Sequence, residues 1–196
     1  DRYFDSFEHY YLLYQRRNLD LWAEYADGKV TKEELNRQRY LYPLEAVGAG
    51  DSTLAKAYER DALTMIPTKS KLMPHAREVL EYLSGKYNLY ILSNGFKELQ
   101  SHKMRSSGID EYFKKVVLSD DIGILKPWPE IFHFALSTTQ SELNNSLMIG
   151  DSWENDIVGA AGVGMHQVFY NLSGRTDLPF APTYQITDLK DLFNFL

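Results

Sequence analysis

The sequence predicts an α/β protein in which an all-helical module, residues 1–66, precedes a Rossmann-like core with a parallel sheet, residues 67–196. Apolar residues recur at helical spacing through the first module, whereas short apolar runs alternate with helical segments through the second. The clearest of these runs, residues 147–149, ends abruptly at Gly150 and Asp151, as a buried strand does at its carboxyl end.

The helical module is predicted to contain three helices separated by turns. The first carries regularly spaced aromatic residues and ends at Asp27-Gly28. Thr31 and Glu34 predict a capping box at the start of the second helix, because the two side chains can satisfy each other's backbone N–H groups. Asp51 is typical of an N-cap and predicts a third helix that extends to about residue 64.

The core is predicted from strands that alternate with helices along the chain. The expected strands are residues 88–92, 116–118, 147–149 and 167–170. The expected helices start at Pro74, after Gly95, at Pro129, near Asn155 and after Asp188. Gly108 is placed to end the second of them, as glycine tolerates the left-handed conformation there. This alternation favours βαβ units and hence parallel strand pairing.

Composition excludes several classes of function. Lys and Arg total 21 against 27 Asp and Glu, and the resulting net charge of -6 disfavours a general nucleic-acid-binding surface. The chain has no cysteine, which excludes disulfides, thiolate catalysis and cysteine-ligated zinc. No apolar run approaches the length of a membrane span. We therefore expect a cytoplasmic protein that binds neither nucleic acid nor membranes.

Three groups of residues follow predicted strands and carry the candidate chemistry. Ser93 and Asn94 lie in a turn whose hydroxyl and N–H groups can bind phosphate, although such residues are ordinary in turns. Lys126 precedes a rigid proline and can neutralise phosphate, although most lysines are simply solvated. Asp151 and Asp156 offer the hard oxygen ligands that suit Mg²⁺, although a helix N-terminus also favours acidic residues.

Taken in chain order, these residues resemble the haloacid dehalogenase (HAD) superfamily over nearly the whole chain. Ser93 matches the second motif of that family, Lys126 the third, and the Asp151 and Asp156 carboxylates the fourth. The resemblance implies a HAD-like core with an inserted helical (C1-type) cap at residues 1–66. It also implies Mg²⁺ held by Asp151 and Asp156, phosphate bound by Ser93, Asn94 and Lys126, and catalysis by Lys126 beside the nucleophile.

The first motif of the family, Asp-x-Asp-x-Thr, is absent from these 196 residues. In the family it lies on a central strand and supplies the nucleophile and the general acid. Asp120 and Asp121 follow a strand, but they stand at the wrong place in the motif order and are an unsuitable substitute. We therefore expect the first core strand to lie outside these residues, and the residues alone to be catalytically incomplete and to bind metal weakly or not at all.

The chain is similar to bacterial HAD 5′-nucleotidases and phosphatases, so the expected substrate is a small phosphate ester, with nucleoside 5′-monophosphates considered first. A haloacid dehalogenase, a sugar-phosphate mutase and a non-catalytic binding protein of the same fold remain alternatives. The paired carboxylates favour the phosphatase over the dehalogenase, which needs no metal. The aromatic residues of the helical module can stack on a base, but their helical spacing favours a hydrophobic core. The sequence leaves the oligomeric state open.

Overall fold

The structure, a computed structural model, describes residues 3–196, and the chain divides into two compact units, Asp1–Thr68 and Lys69–Leu196. The first unit consists of helices α1 (Phe7–Ala26), α2 (Lys32–Ala46) and α3 (Ser52–Met65), followed by a 3₁₀ turn, Ile66–Thr68. Each helix begins at a polar side chain that accepts a hydrogen bond from a backbone N–H group of its first turn, namely Ser6, Thr31 and Asp51.

The N-terminus of α2 forms only half of the predicted capping box. Thr31 Oγ1 accepts a hydrogen bond from the Glu34 N–H group at 3.1 Å, as expected. The Glu34 carboxylate turns instead to Arg37 and Gln38 on the next turn of the helix. Hydrogen bonds from these two side chains, Arg37 first, lower the pKa of Glu34 to about 2. A charged partner in the same helix therefore outcompetes the backbone N–H group for this carboxylate.

Aromatic residues form much of the hydrophobic core of the first unit. Phe4 and Tyr40 are buried, and Tyr10, Tyr14 and Tyr58 pack against them. The rings of Tyr10 and Phe4 meet edge to face at 5.1 Å between centroids, a favourable arrangement of two aromatic rings. These contacts give Tyr10, Tyr14 and Tyr40 a structural role, whereas Phe7 and Tyr11 of α1 are exposed.

The buried tyrosines predict a loss of stability of this unit at high pH. Burial raises the pKa of Tyr40 to about 12 and raises the pKa of Tyr10 further. Since an unfolded tyrosine ionises near pH 10, the unfolded state loses protons before the folded state does. Stability is therefore complete below about pH 10 and is lost as the pH rises towards the folded pKa values. Phenolate absorbance should show that these groups ionise above pH 10, and circular dichroism should show unfolding over the same pH range. If Tyr40→Phe leaves the pH dependence of unfolding unchanged, this prediction is wrong.

The second unit alternates strands with helices. Its elements are α4 (Ala76–Ser84), β1 (Leu89–Ser93), α5 (Lys97–Ser107), β2 (Phe113–Leu118), α6 (Pro129–Thr139), β3 (Leu147–Gly150), α7 (Gly159–Gly162), β4 (His166–Tyr170) and β5 (Tyr184–Ile186). Gly108 ends α5 with φ of 61°, as predicted from its position. The short strand β5 was not predicted, because three residues carry too little periodicity to be recognised.

The strands form two parallel sheets, β1-β2 and β3-β4-β5, which confirms the predicted α/β class with parallel pairing. Within residues 3–196, no strand pairs with the second edge of β1 or of β3. The same described residues contain no helix of the length and apolar character that a membrane crossing requires.

Helices cover both faces of the sheets. Val168 of β4 packs against Val79 and Leu83 of α4. On the other side, Phe132 of α6 and Ala160 of α7 form a cluster that Leu92 of β1 and Met148 of β3 join. Because neighbouring residues of a strand point to opposite faces, Leu147 and Met148 contribute to the first and second cluster respectively. This packing fixes the carboxyl ends of β1 and β3, which carry Ser93 and Gly150.

Two helix predictions in the core need correction. The helix expected from about residue 155 begins as a π-helical turn, Trp153–Val158, and becomes α-helical only at Gly159. The final helix is a 3₁₀ helix, Leu189–Asn194, although Asp188 caps it as predicted by accepting from the Lys190 N–H group at 2.9 Å. In both places the spacing of apolar and capping residues predicts a helix but does not distinguish the α-helical form from the π-helical or 3₁₀ form.

Candidate active site

Ser93 ends strand β1 and is held by two donors. Its Oγ atom accepts hydrogen bonds from the Gly95 N–H group at 3.0 Å and from Gln100 Nε2 at 2.6 Å. A hydroxyl group has two acceptor lone pairs and one proton. With both lone pairs engaged, the remaining capacity of Ser93 is to donate its proton. The turn thus presents a hydrogen-bond donor at the carboxyl end of β1, where α/β sheets bind ligands.

Asn94 fixes the main chain of Lys126. Its Oδ1 atom accepts from the Lys126 N–H group at 2.7 Å, and its Nδ2 group donates to the Lys126 carbonyl at 3.0 Å. We call this pair of bonds the Asn94 clasp. The side chain predicted to assist phosphate binding therefore positions the lysine, while its role towards phosphate stays a prediction.

Lys126 lies buried between β1 and the loop after β3. Only 8% of the residue is exposed. Its Nζ group donates to the Leu92 carbonyl at 2.8 Å and to Asp156 Oδ1 at 2.6 Å. The lysine thus connects the two sheets at their carboxyl ends. A buried ammonium group requires such partners, since an unpaired charge in the protein interior is strongly destabilising.

Asp156 is buried beside Gly150, and this contact explains the glycine. The second carboxylate oxygen of Asp156 accepts from the Ser152 N–H group at 3.0 Å, so both oxygens have partners. A Cβ atom added to Gly150 would lie 2.3 Å from Asp156 Oδ2, closer than real Cβ contacts come. Glycine at this position therefore allows the carboxylate to pack directly onto the end of β3.

Asp151, directly after β3, is exposed, as is Glu154, whose carboxylate pairs with Arg175. Magnesium ions usually take one or two protein carboxylates and complete their coordination with water and substrate phosphate. Asp151 fits such a ligand in chemistry and position. Asp156 has both oxygens engaged, and within residues 3–196 no group of three or more His, Cys, Asp or Glu side chains could hold a metal ion. Asp151 is therefore suited to bind Mg²⁺ through its exposed carboxylate, and Asp156 is a buried acidic residue nearby in the chain.

Hydrogen bonds join Asn94, Lys126 and Asp156, while Ser93 and Asp151 adjoin this network as chain neighbours of Asn94 and Gly150. The structure also shows residues that the sequence did not identify. Gln100, in the first turn of α5, donates a hydrogen bond to Ser93 Oγ, and Gly159 packs against the loop that carries Lys126. A Cβ atom on Gly159 would lie 2.6 Å from the Phe132 ring and 3.0 Å from Pro127 Cα. Only the close approach of α7 to the lysine loop, invisible in the sequence, identifies this glycine.

Asp120 and Asp121 both accept hydrogen bonds from backbone groups. Asp120 Oδ2 accepts from the Lys97 N–H group at the start of α5, at 3.1 Å, and Asp121 Oδ2 accepts from the Leu118 N–H group in the turn after β2, at 2.9 Å. These contacts give both carboxylates a structural role, in keeping with their rejection as a substitute for the first motif.

Comparisons with known proteins identify the family of the chain. A family model described as haloacid dehalogenase-like hydrolase matches residues 2–164. The chain is 29% identical over 187 residues to the HAD-hydrolase YfnB of Bacillus subtilis, which covers 93% of this chain and 78% of that protein. It is 30% identical over 185 residues to the pyrimidine 5′-nucleotidase YjjG of Escherichia coli, covering 93% of this chain and 80% of the relative.

A solved structure of one of these relatives has a similar fold. The crystal structure of YfnB bound to magnesium matches with a TM-score of 0.85 at 27% identity, covering 94% of this chain and 81% of that one. The family model spans most of the chain, and the strands form parallel sheets flanked by helices. This chain therefore belongs to the haloacid dehalogenase-like hydrolases.

Proposed function

We propose that the intact protein is a Mg²⁺-dependent phosphatase that hydrolyses small phosphomonoesters through an aspartyl-phosphate intermediate. The observation that carries this proposal is the buried pair of Lys126 and Asp156, 2.6 Å apart, beside the Ser93 turn and the exposed Asp151. A hydroxyl donor, an ammonium group and a metal-binding carboxylate at the ends of parallel strands suit a phosphate group and its counter-ion.

Each residue receives a role in this proposal. Ser93 donates its proton to a phosphate oxygen. Lys126 has three N–H groups, of which two bond Leu92 and Asp156, and the third donates to phosphate and offsets the charge between phosphate and nucleophile. Asp151 would hold Mg²⁺, which supplies Lewis-acid stabilisation of the phosphoryl oxygens when bound. Asp156 keeps the lysine in place and completes the acidic site.

The nucleophile and the general acid are assigned to the family motif Asp-x-Asp-x-Thr, which these 196 residues do not contain. In the proposed reaction its first carboxylate attacks phosphorus while its second carboxyl group protonates the leaving alcohol. Water then hydrolyses the acyl phosphate and releases inorganic phosphate. We assign residues 1–66 to the cap and residues 67–196 to the catalytic core.

The proposed substrates are nucleoside 5′-monophosphates, with pyrimidine nucleotides tested first. Support comes from the similarity to YjjG, which is named a pyrimidine 5′-nucleotidase. The experiment assays the intact protein with and without Mg²⁺ against nucleotides, sugar phosphates and a generic aryl phosphate, and measures halide release from 2-haloacids in parallel. We expect Mg²⁺-dependent phosphate release, fastest with pyrimidine nucleotides. Inert nucleotides with active sugar phosphates would refute the substrate class, and metal-independent halide release would replace the phosphatase by a dehalogenase.

A further inference from the structure

Two cations hold the π-helical turn Trp153–Val158 through ion pairs. Lys126 pairs with Asp156, as described above, and Arg175 pairs with Glu154. The first cation comes from the loop before α6 and the second from the loop after β4. The proposed phosphatase chemistry uses the first pair and leaves the second without a role.

Arg175 makes three contacts that fix its guanidinium group against this turn. Its Nη1 group donates to Glu154 Oε1 at 2.6 Å, and its Nε group donates to the Asp177 carbonyl at 3.0 Å. Its Cζ atom lies 5.5 Å from the centroid of the Trp153 ring, within the range of a cation–π interaction. The planar guanidinium group of arginine can stack on an aromatic ring and donate several hydrogen bonds at once, which the ammonium group of lysine does less well.

The main chain of Arg175 is held as the main chain of Lys126 is. Asn171, which is buried directly after β4, accepts from the Arg175 N–H group through Oδ1 at 2.9 Å. Its Nδ2 group donates to the Arg175 carbonyl at 2.8 Å. This Asn171 clasp repeats the pattern of the Asn94 clasp. In each case an asparagine at the carboxyl end of a strand fixes the backbone of a cation that reaches the same turn.

Trp153 links this contact to the core. Its side chain is 3% exposed and packs against Phe169 and Phe180, with ring centroids 5.2 Å and 4.9 Å away. Arg175 covers one end of this aromatic cluster while its ion pair holds the neighbouring Glu154. A displacement of Arg175 would therefore be transmitted to both Trp153 and Glu154, which stand between Asp151 and Asp156 in the chain.

We infer that Arg175 is a positioning residue of the active site, which acts through Glu154 and Trp153 to fix the segment between Asp151 and Asp156. The inference rests on the proposed function, because it assigns that segment to metal and phosphate chemistry. Groups that hydrogen-bond metal ligands directly change metal affinity or activity by about 10- to 100-fold when they are replaced. Because Arg175 acts through Glu154 and Trp153, which are not ligands, we expect an effect at the lower end of that range.

The test uses the intact protein with Arg175→Gln, Arg175→Lys, Glu154→Gln and the double variant Arg175→Gln/Glu154→Gln. The readouts are kcat, KM for an aryl phosphate, the Mg²⁺ concentration that gives half-maximal rate, and the rise in Tm that saturating Mg²⁺ produces. Arg175→Gln should raise the half-maximal Mg²⁺ concentration about tenfold. It should also reduce the Mg²⁺-induced rise in Tm while KM changes little. Arg175→Lys should recover part of the loss, and the double variant should be no worse than Arg175→Gln.

A matched control separates positioning from general destabilisation. Lys190→Gln removes the ion pair with Glu78, 3.3 Å apart, elsewhere in the same unit, and should leave the Mg²⁺ response unchanged. An Arg175→Gln variant with the Mg²⁺ response of the wild type overturns the inference, as does a fully additive loss in the double variant. A wild type that gains stability from Mg²⁺ but hydrolyses no ester overturns the proposed function alone. A wild type that responds to Mg²⁺ in neither assay overturns both.

Discussion

Gly150→Ala is expected to lower the proposed phosphatase activity strongly. The added Cβ atom would meet Asp156 Oδ2 at 2.3 Å and Asp156 Cβ and Cγ at 2.4 Å. Asp156 cannot yield easily, because it is buried and both its oxygens are bonded, to Lys126 and to the Ser152 N–H group. We expect a fall in kcat/KM of about 100-fold or more, since misplacement by about 1 Å has effects of that order. Overpacking should also lower the free energy of unfolding by about 1–3 kcal/mol.

Gly162→Ala is the control for this variant. Gly162 ends α7, and an added Cβ atom there would meet no atom within 4 Å. Alanine should be tolerated at Gly162 and should change the free energy of unfolding by no more than about 1 kcal/mol, with activity unchanged. Steady-state kinetics and urea unfolding of both variants compare their activity and their free energy of unfolding with those of the wild type. Equal activity in Gly150→Ala and the wild type would show that the position of Asp156 is unimportant for the reaction.

Lys126→Met is expected to remove both activity and stability. Methionine fills a similar volume, but it leaves the Asp156 carboxylate buried without its ammonium partner. Loss of one partner of a buried ion pair commonly lowers the free energy of unfolding by about 3–5 kcal/mol. Activity should fall below detection, because the proposed phosphate-binding ammonium group is gone.

The double variant Lys126→Met/Asp156→Asn separates the two effects. The neutral amide of asparagine removes the buried charge, so most of the lost unfolding free energy should return. Activity should remain absent, because no cation replaces Lys126. Urea unfolding with kinetics on the same preparations checks both expectations. A double variant that is stable and fully active would contradict the catalytic role of Lys126, and one as unstable as Lys126→Met would contradict the charge argument.

Local patterns in the sequence predicted the elements and the positions of the candidate site. Ser93 and Asp151 follow apolar strands directly, and Pro129 starts a helix, so each carries its signal within a few neighbouring residues. Parallel strand pairing followed from the alternation of strands and helices. These predictions needed only the periodicity of apolar residues and the residues that end strands and start helices.

The clasps and the roles of the glycines could not be predicted in this way. Asn94 and Lys126 are 32 residues apart, and nothing near either residue indicates that one holds the main chain of the other. Glu154 and Arg175 are 21 residues apart, and nothing near either residue in the sequence indicates that they pair. Gly150 and Gly159 resemble ordinary loop and helix glycines until the packing of Asp156 and Phe132 against them is known.

Because Trp153–Val158 forms a π-helical turn, the number of residues between Gly150 and α7 affects the geometry of the site. The Ser152 carbonyl accepts from the Ile157 N–H group, five residues on, as well as from Asp156. The turn therefore contains one residue more than an α-helical turn would between the same neighbours. Deleting one residue would leave an α-helical turn between the same neighbours, so Gly159 would still face Phe132 and Pro127. Within the turn the side chains would change direction, and Asp156 would lose the alignment with which it accepts from Lys126 and from the Ser152 N–H group. The extra residue therefore matters for the placement of Asp156 and not for the packing of α7.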